Sequence, residues 1–205
     1  MEAAAAFWGF VGGSSLLIGA LVGLYARASY RAIAVAMAFG AGVLISSVAF
    51  ELMDEAYRVG GFDAASIGLL VGAVVFFAAD VVVTRSGGGD RKRSQGPQEG
   101  ASAMAIAVGA LMDGIPESAA IGISLIEGEA VSLVVVIAVF LSNVPEALSS
   151  AAGMKRMGHS EAYVLILWGA VTLASTVAAL LGYLFLAGPP RTSSAPYRPS
   201  PPGRS

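Results

Sequence analysis

The sequence predicts an all-α protein, a polytopic bundle of six transmembrane helices, from its composition and from the length of its uncharged runs. Hydrophobic residues make up 56% of the 205-residue chain and charged residues 13%, where an ordinary soluble domain carries roughly 25% charged residues. Stretches free of Asp, Glu, Lys and Arg run from Ala3 to Ala26, Ala32 to Phe50 and Ala162 to Pro190. Each is of the order of the roughly 20 residues that cross a bilayer. Three more spans hold isolated acids: Ala64 to Thr84 with Asp80, Ala101 to Ile126 with Asp113 and Glu117, and Ala130 to Ala152 with Glu146.

The first span follows the acidic Glu2 and is too long for the apolar core of a cleaved signal peptide, so it is read as a membrane helix. Gly9, Gly12, Gly13, Gly19 and Gly23 recur along it, and Gly40 and Gly42 in the second. Such spacing suits close helix packing. The second span ends at Glu51, Asp54 and Glu55, expected to form a solvated helix end, with Arg58 and Asp63 in the connection that follows. Asp80 in the third span reads as a helix-end or packing residue. Residues 85–100, rich in Gly, Ser and charge, read as a flexible cytoplasmic loop. The membrane domain extends from about residue 5 to 187. Beyond it, residues 188–205 hold six of the nine prolines. They read as a disordered proline-rich tail, or as the product of a cut or shifted reading frame.

Basic residues alternate along the chain. Arg27 and Arg31 flank the first connection, Arg85, Arg91, Lys92 and Arg93 fill the third, and Lys155 and Arg156 sit in the fifth. Acids dominate the second, and Glu127 and Glu129 mark the fourth. The positive-inside rule then places the N-terminus outside and the odd connections in the cytoplasm of a cell with this multi-pass protein in its inner or plasma membrane. With no cysteine and one histidine, His159 in a polar connection, cysteine and histidine zinc sites are excluded.

The fourth and fifth spans carry the chemistry. Met112-Asp113-Gly114-Ile115-Pro116-Glu117 and Leu141-Ser142-Asn143-Val144-Pro145-Glu146 repeat one device, a proline followed at once by a glutamate. An ionisable side chain at the centre of a membrane span costs roughly 2.5–3.5 kcal/mol on insertion scales and usually marks an ion or substrate path. Proline lacks an N–H, so a break in each helix is expected, with the carbonyl of Met112 or Leu141 released towards a cavity. Asp113 and Glu117 are four apart, Asn143 and Glu146 three apart, so each pair shares a helix face. Facing one another, they make an oxygen-only set suited to hard or borderline divalent cations. Carboxylate ligands that exchange protons for metal make such binding pH-sensitive.

These residues resemble the ZIP (Zrt- and Irt-like) metal transporters. That family's fourth helix carries His-Asn-x-Pro-Glu-Gly and its fifth a polar-polar-x-Pro-Glu or Pro-His pattern, matched here by Asp113 to Ser118 and by Ser142 to Ala147. The second span, from Phe39 to Glu55, the outside N-terminus and the variable loop before the fourth span are also similar. The resemblance implies a metal site of Asp113, Glu117, Ser142, Asn143 and Glu146, and a bundle in which metal-bearing helices slide against a scaffold. Asp113 replaces the expected histidine and Gly114 the expected asparagine, which depletes a binuclear centre and leaves zinc, manganese and iron undecided. No acid occurs in the sixth span, where family members often place a ligand. Eight helices form the family pattern against six here, so a truncated member with impaired transport is one expectation.

The function expected is uptake of divalent metal towards the cytoplasm. The metal is substrate rather than cofactor, and no ATP is used, since no Gly-x-x-x-x-Gly-Lys loop occurs. The expected partners are divalent ions and the lipid bilayer, with no nucleic acid and with homodimer formation left open. A non-transporting remnant or assembly subunit is the first rival. An intramembrane enzyme is the second, and no enzyme is expected because no His-Glu-x-x-His pattern or nucleophile supports one.

Overall fold

A computed structural model describes residues 1–26, 29–88, 103–127 and 131–186. All regular structure among them is helical: α1 (Glu2–Tyr25), α2 (Tyr30–Ser47), α3 (Met53–Val83), α4 (Ala103–Glu127), α5 (Leu133–Arg156) and α6 (Glu161–Leu186), with π-turns at Val48–Leu52 and Thr84–Gly88. Serine caps open three helices: Ser29 Oγ accepts from Ala32 N–H, Ser132 Oγ from Val135 N–H and Ser160 Oγ from Tyr163 N–H. At the other end of α5, Gly158 takes φ +87°. There Gly158 N–H donates to Lys155 C=O and His159 N–H to Met154 C=O, a Schellman closure that glycine permits without strain.

Among the described residues five helical runs are long and apolar enough to cross a membrane, and the second of them is 56 residues, Arg31–Ser86. The expected polar connection between the second and third spans is therefore helical. Asp54 and Arg58 pair across one helical turn at 3.7 Å, and the π-turn passes Glu51 without a break. The backbone leaves helical geometry only at Gly61, with φ 74° and ψ 177°, a conformation open to glycine alone at low cost. Nor do the prolines break their helices. Pro116 lies inside α4 and Pro145 inside α5, because each removes one hydrogen bond from a helix that its neighbours hold in place.

Helices α1, α4, α5 and α6 form one packed unit around α1. Gly12 of α1 meets Val139, Gly19 meets Val144 and Ala147, and Gly23 meets Leu148, so α1 and α5 run parallel. Gly9 meets Thr176 and Ala179, and Gly13 meets Thr172 and Ser175, so α6 runs antiparallel to α1. Along α4, Gly114 faces Ser175 and Gly122 faces Ala179 and Tyr183, which sets α4 parallel to α6. The glycine spacing read from sequence is thus tight packing. Two apolar clusters fill the ends of this unit. One joins Leu16, Ala20, Leu24, Ile106, Ala110, Ala151, Met154 and Trp168. The other joins Ala5, Ile121, Leu125, Val131, Val135, Val136 and Val139.

The α2–α3 arm is different. Helix α2 lies along α5, with Gly40 against Leu141 and Ser142 and Glu51 Oε1 accepting from Ser132 Oγ at 2.6 Å. Of α3, only Ala65 and Val83 are buried. Ile67, Leu70, Val74 and Phe77 are exposed, as lipid-facing residues are. Asp80 is half-buried one turn before Val83, near where the end of α3 meets α4. Of the loop expected at 85–100, residues 85–88 continue the helix in the second π-turn, and residues 89–100 and the whole 188–205 tail lie outside the described residues.

Candidate metal centre

Between the two apolar clusters the four-helix unit changes character. On α4 the clusters end at Ala110 and resume at Ile121; on α5 they end at Val139 and resume at Ala147. Asp113 and Glu117 fill the first interval, and Ser142, Asn143 and Glu146 the second. Ile121 and Val139 both flank Gly12, and α4 and α5 run in opposite directions. Since four residues of helix span about 6 Å, all five candidates fall within one band across the unit.

Asn143 is 3% exposed, and Asp113, Glu117, Ser142 and Glu146 are half-buried. Oδ2 of Asp113 and Oε2 of Glu117 are shielded from solvent altogether. Ser142 Oγ donates to Val139 C=O at 3.0 Å, which leaves its oxygen lone pairs available as an acceptor or ligand. The three carboxylates do not close on a common point: among the described residues no three His, Cys, Asp or Glu side chains form a metal-binding group. The Leu141 carbonyl, expected to face a cavity, is instead covered by α2. A Cβ on Gly40 would stand 2.7 Å from it.

No Lys, Arg or His occurs on α1, on α4, on α5 before Lys155, or on α6. The unit that carries these carboxylates therefore supplies no basic side chain within the band to balance them.

The sixth span was expected, but the hydroxyls of α6 were not among the expected site residues. Thr172 Oγ1 donates to Gly13 C=O at 3.0 Å, and Ser175, 1% exposed, sits where Gly13 and Gly114 converge. The signal was Thr172, Ser175 and Thr176, three hydroxyls along one helix in an otherwise apolar span. Glu51 also differs from its expected role, being half-buried and tied to the N-terminus of α5 through Ser132.

Compared with protein-family models, curated proteins and solved structures, the chain matches none.

Proposed function

We propose that this chain is a divalent-cation transporter of the ZIP type, which moves metal towards the cytoplasm past Asp113, Glu117, Ser142, Asn143 and Glu146. The observation that carries the reading is the carboxylate band, held between two apolar clusters by helix segments without a basic residue. Such a layer attracts a mobile cation, and its all-oxygen donors suit a hard or borderline divalent ion. A divalent cation arriving between them would draw the carboxylates together as its ligands. Binding then releases protons.

Six crossings go with this reading. A straight helix of 56 residues would be about 84 Å long, far beyond the roughly 30 Å hydrocarbon core. Division at Gly61 leaves two segments, each of spanning length. Helices α2 and α4 both run antiparallel to α5, so the chain between them crosses back once. The packed unit would move against the α2–α3 arm to expose the band to each side in turn.

Metal uptake into sealed vesicles tests the function. Glu117→Ala and Glu146→Ala should each abolish uptake of Mn, Fe or Zn while inserting normally, and Glu51→Ala should only slow it. Unchanged uptake by either deep variant removes the site assignment, and no uptake by the parent chain favours a non-transporting remnant.

Orientation has its own test, made clean by the absence of native cysteine. Asp54 and Ser160 are both exposed. With the N-terminus outside, a membrane-impermeant thiol reagent added to intact cells labels Asp54→Cys and spares Ser160→Cys. The reverse pattern would invert the direction of transport.

A further inference from the structure

At the end of the molecule where α1 and α5 finish and α2 begins, the three helices enclose a cavity of about 600 Å3, within the roughly 300–1,000 Å3 of small-ligand sites. Leu24 from α1, Ile33 from the first turn of α2 and Leu148 from α5 give it apolar surface, and Tyr25, Lys155 and Arg156 complete its polar side. Among the described residues no acid lines it. Two cations therefore face a space that is otherwise apolar.

Basic residues in the last turn of a helix often do no more than complement that helix's own carbonyls. Lys155 reaches further. Its Nζ donates to Leu24 C=O of α1 at 2.7 Å and to Glu161 Oε1 of α6 at 2.8 Å, and stands 5.6 Å from the centre of the Tyr25 ring. These contacts use two of the three donors of the ammonium and hold it in one place on the cavity wall, so that little side-chain freedom is lost when an anion arrives. Arg156 adds a planar guanidinium with five donors, enough to serve a phosphate beside any partner it keeps within the protein. Arg31 stands exposed in the same first turn of α2 as Ile33.

A second observation separates a lipid from a soluble anion. Ile18, Leu21, Val22 and Tyr25 are exposed, and their spacing of three, four and seven places them on one face of α1. That apolar stripe leads from the cavity, at Tyr25, back towards the middle of the span. A free phosphate has no use for it, whereas an acyl chain does.

We infer that this cavity holds the phosphate headgroup of an anionic phospholipid, with Lys155 and Arg156 on the phosphate and an acyl chain along the stripe from Tyr25 to Ile18. Basic pockets between membrane-spanning helices suit such headgroups. The inference rests on the chain's crossing a bilayer and is independent of the metal reading. Because α1, α2 and α5 all line the cavity, the bound lipid joins the α2–α3 arm to the packed unit.

Full-length protein reconstituted in bilayers of equal parts phosphatidylglycerol and phosphatidylcholine, then released into mild detergent, provides the test by native mass spectrometry of the retained lipid. The parent should keep one phosphatidylglycerol per chain and prefer it over phosphatidylcholine. Arg156→Gln should weaken that preference roughly tenfold, as loss of a charge-assisted hydrogen bond does. Ala152→Leu, which adds bulk to the lining without changing charge, should weaken it as well. Arg58→Gln, exposed beyond the far end of α2, should leave it unchanged. Equal retention of the two lipids by the parent overturns the inference, and so does a loss in Arg58→Gln as large as in Arg156→Gln, because net charge alone would then recruit the lipid. Displacement of phosphatidylglycerol by millimolar inorganic phosphate would assign the cavity to a soluble anion and overturn the lipid reading. Glu117→Ala should keep the parent's lipid preference whatever it does to metal uptake, so the two readings fail separately.

Discussion

A Cβ built on Gly19, Gly23 or Gly122 would land on a carbonyl oxygen of the neighbouring helix, whereas one built on Gly42, Gly68 or Gly72 would meet nothing. The first three belong to the α1–α4–α5–α6 unit and the others to the α2–α3 arm. Within lipid there is little hydrophobic gain in bringing helices together, so backbone proximity, van der Waals contact and weak Cα–H···O interactions hold a bundle. The unit exploits them at seam after seam. The arm does so mainly at Gly40, where α2 meets α5. Similar glycine content in the two regions therefore means different things: close backbone seams in the unit and open faces in the arm.

The hardest way to break that comparison is to add bulk. Gly19→Leu and Gly122→Leu should each cost about 3 kcal/mol or more, since overpacking against a backbone has no flexible side chain to displace. Gly68→Leu should stay within about 0.5 kcal/mol of the parent, as changes on an open face do. Thermal unfolding in detergent, followed through the fluorescence of the buried Trp168, measures both. Equal losses in the two regions would mean that α3 is packed against something as closely as α1 is.

A smaller effect sharpens it. Lys155 Nζ donates to Glu161 Oε1 at 2.8 Å and to Leu24 C=O at 2.7 Å, while Tyr25 O–H donates to Glu161 Oε2 at 2.9 Å. One cluster thereby ties the ends of α1, α5 and α6 together. The Asp54–Arg58 pair joins only consecutive turns of one exposed helix. Lys155→Met should lower the melting temperature slightly, and less so in high salt, whereas Asp54→Asn should leave it unchanged. A larger fall for Asp54→Asn would show that the arm depends on its ion pair more than the unit does.

Much of this was legible in the chain itself. The helical class follows from uncharged runs that bury no backbone polar group in lipid unless they are helices. Pro116-Glu117 and Pro145-Glu146 stand out because an acid in an apolar span is costly wherever it lies. Legibility ended where partners decide the outcome. Glu51 and Asp54 look like a helix end by polarity alone, yet the backbone runs through them and turns only at Gly61. Ser175 is an unremarked hydroxyl until Gly114 and Gly13 are seen beside it.

By itself, then, the sequence determined that this protein is helical, that its helices are long and apolar enough to span a bilayer, and which carboxylates sit within them, since all three follow from the local cost of polar groups in an apolar medium. Only the tertiary structure decided that α1 stands at the centre, that α2 covers the Leu141 carbonyl, and that α6 brings a hydroxyl to Gly114. Those outcomes depend on which glycine meets which backbone across helices distant in sequence, and no periodicity within one helix carries that information.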